Sequence, residues 1–374
     1  MPPSAESDPA MQTEISEDEI ALYDRQIRLW GMQAQEKIRR ANILLITLRA
    51  LGSEISKNLV LAGISSLTIL DPNPVSTADL GAGFFLSQAT NAAEGLEGLE
   101  GKSRAEAAAP IVQKLNPRVK VRADSGPVRE KDAAYFASFD VVIATDLGAA
   151  DIAWINDATR AAGKKFYAAG CHGTHGFIFS DLVSHSYVIQ RDSANVVTKP
   201  GPESATRAVV DVRTKKEGPR VVETVTKRET YSPFGKACLS APLPAEFARS
   251  KRRLRAVSPV LSCLRALWSA PDLADPSSRA GMESFTRTVM GKHAELGLPP
   301  ETLTPEVIRQ FLQGVGAEIA PVAAILGGQL AQDVINVLGQ TQQPIQNTVV
   351  FDGGVMEASV YALHSDLEGA GAEA

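Results

Sequence analysis

From Asn42 onward, short apolar runs alternate with stretches of helical periodicity, and this alternation restricts the fold more than any other feature of the chain. The runs are NILLIT, SLTILD, VKVRAD, FDVVIATD and KFYAAG, with helical stretches near Gly52 to Leu61, Arg104 to Leu115 and Asp151 to Ala161. Runs buried on both faces are what a parallel sheet covered by helices demands. A doubly wound, Rossmann-like α/β domain with a mixed sheet follows. Pro321 opens VAAILGGQLAQDVINVL and suits the first turn of a helix, and NTVVFDGG and EASVYAL read as two closing strands. Their return to the sheet makes the domain discontinuous, 16–190 plus 317–374.

The remaining segments are expected to lie outside that sheet. Residues 1–15 are rich in Ser, Pro and Glu and read as a disordered tail. Ser16 and Glu19 then form a capping box, and Ile20, Tyr23, Ile27 and Trp30 follow on one helical stripe that ends at Gly31. The low-complexity stretch NAAEGLEGLEG reads as an inserted loop, and DLVSHSYVIQ as a pair of short antiparallel strands. Residues 191–230 are polar, charged and weakly periodic, which predicts a flexible linker. Residues 231–316 read as a small helical insertion, with 243–267 and 282–296 its better helices.

Composition narrows the function classes. The chain has 374 residues and a formal charge of −5, against the basic excess that general nucleic-acid binding requires. No run of about 18 apolar residues is evident and the N-terminal stretch is acidic, so neither a membrane span nor a secretory signal is expected, and the cytosol or nucleus is. Cys171, Cys238 and Cys263 fit neither a disulfide framework nor a zinc pattern. No structural metal is expected.

A Rossmann nucleotide site needs glycines in its first strand-to-helix turn, where bare backbone and the helix N-terminus meet phosphate. Here that turn is Thr47-Leu48-Arg49-Ala50-Leu51-Gly52. Thr47 and Arg49 stand at the first two glycine positions of GxGxxG, and only Gly52 remains. Arg49 brings a positive charge but also fills the volume that phosphates need. Asp71 ends SLTILD where an acid would hold ribose hydroxyls, or else it forms the turn before Pro72. A Rossmann NAD(P) oxidoreductase is the alternative that these substitutions weigh against.

The string YDRQIRLWG, Tyr23 to Gly31, resembles the N-terminal motif of ubiquitin-family activating enzymes and their bacterial ThiF/MoeB adenylating relatives. NILLITLRALGSEISKNLVLAGISSLTILD, GKSRAEAAAPIVQKLNP, FDVVIATD, the Pro321 helix and VVFDGG occur in the order of that family. Active members of the family have an intact glycine turn, an Arg and a Lys. In this chain GAGFFLSQ lacks the Arg, Arg104 stands for the Lys, and only Asp71 and Asp146 match acidic positions. Two acids without cationic partners would repel ATP. Length, the small insertion and RALGSEISKNLVLAG narrow the resemblance to the Aos-type silent subunits of SUMO-activating heterodimers. An inactive subunit for another ubiquitin-like modifier is the alternative within the family.

The resemblance implies that ATP and Mg2+ are bound in a catalytic partner subunit, not independently by this chain, and that SUMO is met through the complex. It also implies that Arg25, with Arg28 one turn on, reaches the partner's ATP in trans, where a guanidinium offers a planar fork to phosphate oxygens. No residue of this chain's own pocket is then catalytic. Cys238 lacks a neighbour to lower its pKa, and the family places the thiol elsewhere. Cys171 is expected to be buried, and His172 and His175 to mark a turn rather than a metal site. Gly327-Gly328 inside an apolar helix implies a close backbone contact. Lys251 to Arg255 is either a short import sequence or a solvated helix face, and the family implies nuclear residence with some cytoplasm.

Overall fold

The computed structural model describes residues 16–89, 99, 101–193, 198–218, 220–270 and 278–365. The expected tail at 1–15 and most of the 91–101 loop lie outside the described residues. The described chain opens with three short helices, α1 (Glu17–Leu22), α2 (Asp24–Trp30) and α3 (Met32–Ile38), where one helix ending at Gly31 was expected. The capping box is present at α1, and the breaks fall at Tyr23 and at Gly31, whose φ of 89° is open to glycine. Then follow β1 (Asn42–Ile46), α4 (Ala50–Ala62), β2 (Ser66–Leu70), α5 (Asp79–Ala82), α6 (Phe84–Ala89), α7 (Arg104–Leu115) and β3 (Lys120–Asp124). Next come α8 (Ala133–Ala137), β4 (Val141–Thr145), α9 (Ala149–Ala161), β5 (Lys165–His172) and β6 (His175–Asp181).

Residues 184–230 correct the linker expectation. Their described part forms β7 (Ser184–Asp192), β8 (Gly201–Pro202), β9 (Arg207–Glu217) and β10 (Arg220–Thr230), an antiparallel sheet in the order β7-β10-β9-β8. DLVSHSYVIQ accordingly gives one strand, β7, rather than two. The polar composition that suggested a linker has a structural cause: much of β9 is exposed, and the buried carboxylates of Glu223 and Glu229 are bonded to Thr198 at 2.9 Å and Arg207 at 2.9 Å.

Beyond it lie α10 (Phe234–Ser240), α11 (Ala245–Ala248), α12 (Lys251–Arg255), α13 (Val260–Ser269), α14 (Arg279–Glu295), α15 (Pro305–Gly314), α16 (Ala320–Gly339), β11 (Thr348–Asp352) and β12 (Glu357–Tyr361). Among the described residues the main sheet has eight strands in the order β12-β11-β6-β5-β4-β1-β2-β3. Strands β3-β2-β1-β4-β5 are parallel, and β6, β11 and β12 add on antiparallel. Ile43 and Leu45 of β1 point into a core with α4, α7 and α16, while Leu44 and Ile46 point to the opposite face. That second face is covered by Phe234, Leu261, Leu264, Trp268, Phe285 and Phe311, so α10 and α13 to α15 pack on the sheet itself instead of standing apart as an insertion.

Helix α16 is long and apolar enough to cross a membrane, contrary to the sequence expectation, but 67% of that window is buried in the protein. Its Gly327 accounts for one of the paired glycines: an added Cβ would lie 2.6 Å from Cβ of Glu54 on α4. Gly328 has no such neighbour within 4 Å. The close contact is therefore with α4, and it concerns one glycine only.

Candidate functional site

The strand order reverses direction around β1, with β2 on one side and β4 on the other, so the crevice of this fold opens beyond their C-terminal ends. The first element there is the turn after β1. Thr47 has φ of 71°, a conformation that suits glycine and strains a β-branched residue. Its N–H donates to the Leu70 carbonyl at 2.9 Å, and its own carbonyl accepts from Thr145 Oγ1 at 2.8 Å. Gly52 is held to glycine by proximity, since a Cβ would sit 2.6 Å from the Thr47 carbonyl oxygen. The shape of a glycine turn is present with two of its glycines replaced.

The amides of that turn are spent inside the chain. Leu48 N–H donates to the Asp71 carboxylate at 2.9 Å. Ala50 and Leu51, at the N-terminus of α4, donate to the two carboxylate oxygens of Glu318 at 3.0 and 2.8 Å. Arg49 lies across the crevice, its Nε 3.3 Å from Glu318 and both terminal nitrogens 3.2 Å from the Gly316 carbonyl. This bridge leaves two cavities. One of about 400 Å³ is lined by Arg49, Asp79, Gly83 and Glu318, and one of about 600 Å³ by Arg49, Asp146, His172, Phe177 and Trp268.

The acids are not the exposed repelling pair that the sequence suggested. Asp71 is fully buried and accepts from Leu48, from the Asn73 amide at 3.0 Å and from Arg104 at 3.5 Å, so it does have a cationic partner. Arg104 is shared with Asp79 at 3.0 Å. Asp71 is thus the turn-former of the two alternatives. Asp146 has φ of 53° and accepts from Cys171 N–H at 3.1 Å. Burial, then the neighbouring charge of Glu318, holds its carboxyl well above the usual carboxylate range. An internal carboxylate already holds the Ala50 and Leu51 amides, which a phosphate at this turn would use.

The second candidate element is the N-terminal arm. Tyr23 is buried, and its ring lies where a Cβ on Gly63, at the C-terminal end of α4, would come within 2.6 Å. Its hydroxyl accepts from Asn116 at 2.8 Å, and Gln26 donates to the Leu61 carbonyl at 3.1 Å. Glu19 is paired with Arg39 and Arg118 at 3.2 and 3.4 Å. On the helix so anchored, Arg25 is exposed and makes no hydrogen bond or ion pair among the described residues, whereas Arg28 is held by Asp24 at 3.1 Å. Leu22, Leu29 and Leu61 are 58%, 74% and 44% exposed around it.

The remaining sequence candidates are structural. Cys238 is buried 3.7 Å from Thr348 Oγ1, and burial pushes its thiol up to about 12. Cys171 is buried too, with its thiol raised by burial and then by Asp146. His172 and His175 pair across the β5–β6 turn at Gly173, and His172 Nδ1 accepts from Gly316 N–H at 3.2 Å. Burial, then His175, lowers His172 to about 4, so it is neutral near pH 7. Among the described residues no group of His, Cys, Asp and Glu is placed to hold a metal. Lys251–Arg255 forms the exposed helix α12, with Arg255 paired to Glu301 at 3.1 Å. Glu318 and Thr145 were not foreseen; Glu318 has no local motif and acts 267 residues away in sequence.

The chain is 36% identical over 350 residues to the "DNA damage tolerance protein RHC31" of Saccharomyces cerevisiae, covering 93% of this chain and 97% of that protein. It is 32% identical over 342 residues to the "SUMO-activating enzyme subunit 1" of Homo sapiens, covering 91% and 93% of the two chains. The crystal structure of E. coli MccB with succinimide has the same fold at a TM-score of 0.50 and 12% identity, covering 92% of this chain and 73% of that one. A match to the ThiF family that runs over residues 23–365 takes in the arm, the turn and both closing strands, and the chain belongs to the ThiF family.

Proposed function

We propose that this chain is the subunit of a two-chain SUMO-activating enzyme that lacks a working nucleotide site and assists adenylation on its partner. The observation that carries this reading is the filled turn, in which Glu318 and Asp71 hold the amides of Leu48, Ala50 and Leu51. Relatives of matching length bear the name SUMO-activating enzyme subunit 1, which favours SUMO over other modifiers. A dinucleotide's pyrophosphate would need the same amides, so an NAD(P) oxidoreductase is disfavoured by the same bonds.

In this reading ATP and Mg2+ are bound by the catalytic partner, and the heterodimer meets SUMO as a unit. Tyr23 anchors the arm, Arg25 is the free cation it presents, and Arg28 remains engaged with Asp24. A fixed guanidinium offsets negative charge as pyrophosphate leaves. The exposed leucines around Arg25 and the exposed Ile325 on the adjoining α16 are apolar surface suited to a partner chain. Residence in the nucleus, with some cytoplasm, belongs to the same proposal, and exposed Lys251–Arg255 is compatible with either import or a solvated face.

The test is Arg25→Ala in the reconstituted pair. ATP:pyrophosphate exchange is expected to fall on the order of 10²-fold while co-purification of the two chains is unchanged. Exchange at the unaltered rate removes Arg25 from the mechanism.

A further inference from the structure

The mismatch between this turn and a nucleotide has a local chemical basis. A Rossmann helix binds phosphate through N–H groups of its first turn and the positive end of its dipole. Helix α4 has 13 residues, and the amides of Ala50 and Leu51 converge on one anion, the Glu318 carboxylate, with one oxygen for each. Arg49 completes the set at 3.3 Å, and the Glu318 side chain is only 6% exposed. All the elements of an anion site are therefore present, and so is an anion.

We infer that Glu318 is an internal stand-in for phosphate, and that this one carboxylate, more than the loss of the turn glycines, keeps phosphoanions out of the pocket. The inference rests on the closed-turn reading given above and names its cause. Glu318 lies two residues before α16, in the 315–319 loop, which is tied down by the Gly173 N–H bond to the Ala317 carbonyl at 2.8 Å. The loop thus delivers the carboxylate from a fixed backbone. Beside it lies the cavity of about 400 Å³ lined in part by Arg49, Ala78, Gly83 and Gly316. Truncating the side chain joins its volume to that cavity and leaves the Ala50 and Leu51 amides without the carboxylate they now hold. Buried donors left unsatisfied are costly, so an incoming phosphoanion recovers what the truncation loses. Two other acids bear on the site: Asp79, which lines the cavity and is bound to Arg104 at 3.0 Å, and Asp146, whose carboxyl lies beside Glu318 and Arg49.

The ligand class exposed by this change is an inorganic phosphoanion, and inorganic pyrophosphate is the probe. The full-length chain and its Glu318→Ala, Glu318→Gln and Glu318→Ala/Arg49→Ala variants are titrated by calorimetry. Glu318→Ala is expected to bind pyrophosphate at least about tenfold more tightly than the unmodified chain. Glu318→Gln, which keeps the volume filled, is expected to show no gain, and the double variant to lose it. A folded Glu318→Ala chain with no gain, or a gain that survives Arg49→Ala, overturns the inference while leaving the closed-turn reading intact. Tight pyrophosphate binding by the unmodified chain sinks both. Hydrogen exchange on the unmodified chain gives a check that needs no variant: the Ala50 and Leu51 amides should be protected without ligand and unmoved by pyrophosphate, and ligand-dependent protection there contradicts the assignment.

Discussion

At its N-terminal end α4 gives its amides to Glu318 and meets Arg49 drawn in across the crevice, whereas at its C-terminal end, beside its own exposed Leu61, it carries an arm that turns Arg25, Leu22 and Leu29 outward. At the first end the leading amides of α4 and the Arg49 guanidinium are engaged by the chain itself. At the second end the Arg25 guanidinium is not engaged among the described residues. On the proposed reading, the contrast teaches that a fold built for a ligand at one place can be closed there by its own side chains, and still keep a rigid scaffold that presents chemistry elsewhere. The same helix serves both ends, because Tyr23 packs on Gly63 and Asn116 while Glu318 sits on Ala50 and Leu51.

The largest effect is expected from breaking the anchor of the open end. Tyr23→Ala removes a buried ring and the acceptor for Asn116, and should cost ~3–5 kcal/mol in chemical denaturation. A loss below ~1 kcal/mol would mean that the arm is not fixed by Tyr23, and that Arg25 has no defined position. A smaller effect sharpens the contrast from the outside. Leu29→Ser lies on 74% exposed surface, so stability of the chain should stay within ~0.5 kcal/mol. Affinity for the partner chain should nevertheless fall on the order of tenfold in a surface-binding titration. Unchanged affinity would separate the arm from the partner face.

Much of this was legible in the sequence, for physical reasons that differ by region. The parallel strands β1, β2, β4 and β5 announce themselves because burial on both faces leaves apolar runs such as ILLI and VVIAT. The altered turn was equally visible, since glycine at Thr47 and Arg49 would be demanded by phosphate and is missing. The sheet of β7 to β10 was not legible, because exposed strands carrying paired charges such as Arg207 and Glu229 dilute the apolar alternation that identifies a strand. Its Val and Thr content in VVETVTKRET was the remaining hint. The helices of 231–316 were foreseen as helices, but their packing on the second face of the sheet depends on contacts far apart in sequence. Glu318 was hidden for the same reason. Nothing in GAEIAPV says that its carboxylate meets α4, because that contact is made only when the loop before α16 folds back against the turn after β1.

The proposed function is that of one closed pocket in a two-chain enzyme that needs ATP. Its most direct test counts nucleotide: equilibrium dialysis of labelled ATP against the reconstituted pair. One ATP per heterodimer, and none on the full-length chain alone, is the predicted result. Two ATP per heterodimer, or one on the isolated chain, would contradict it.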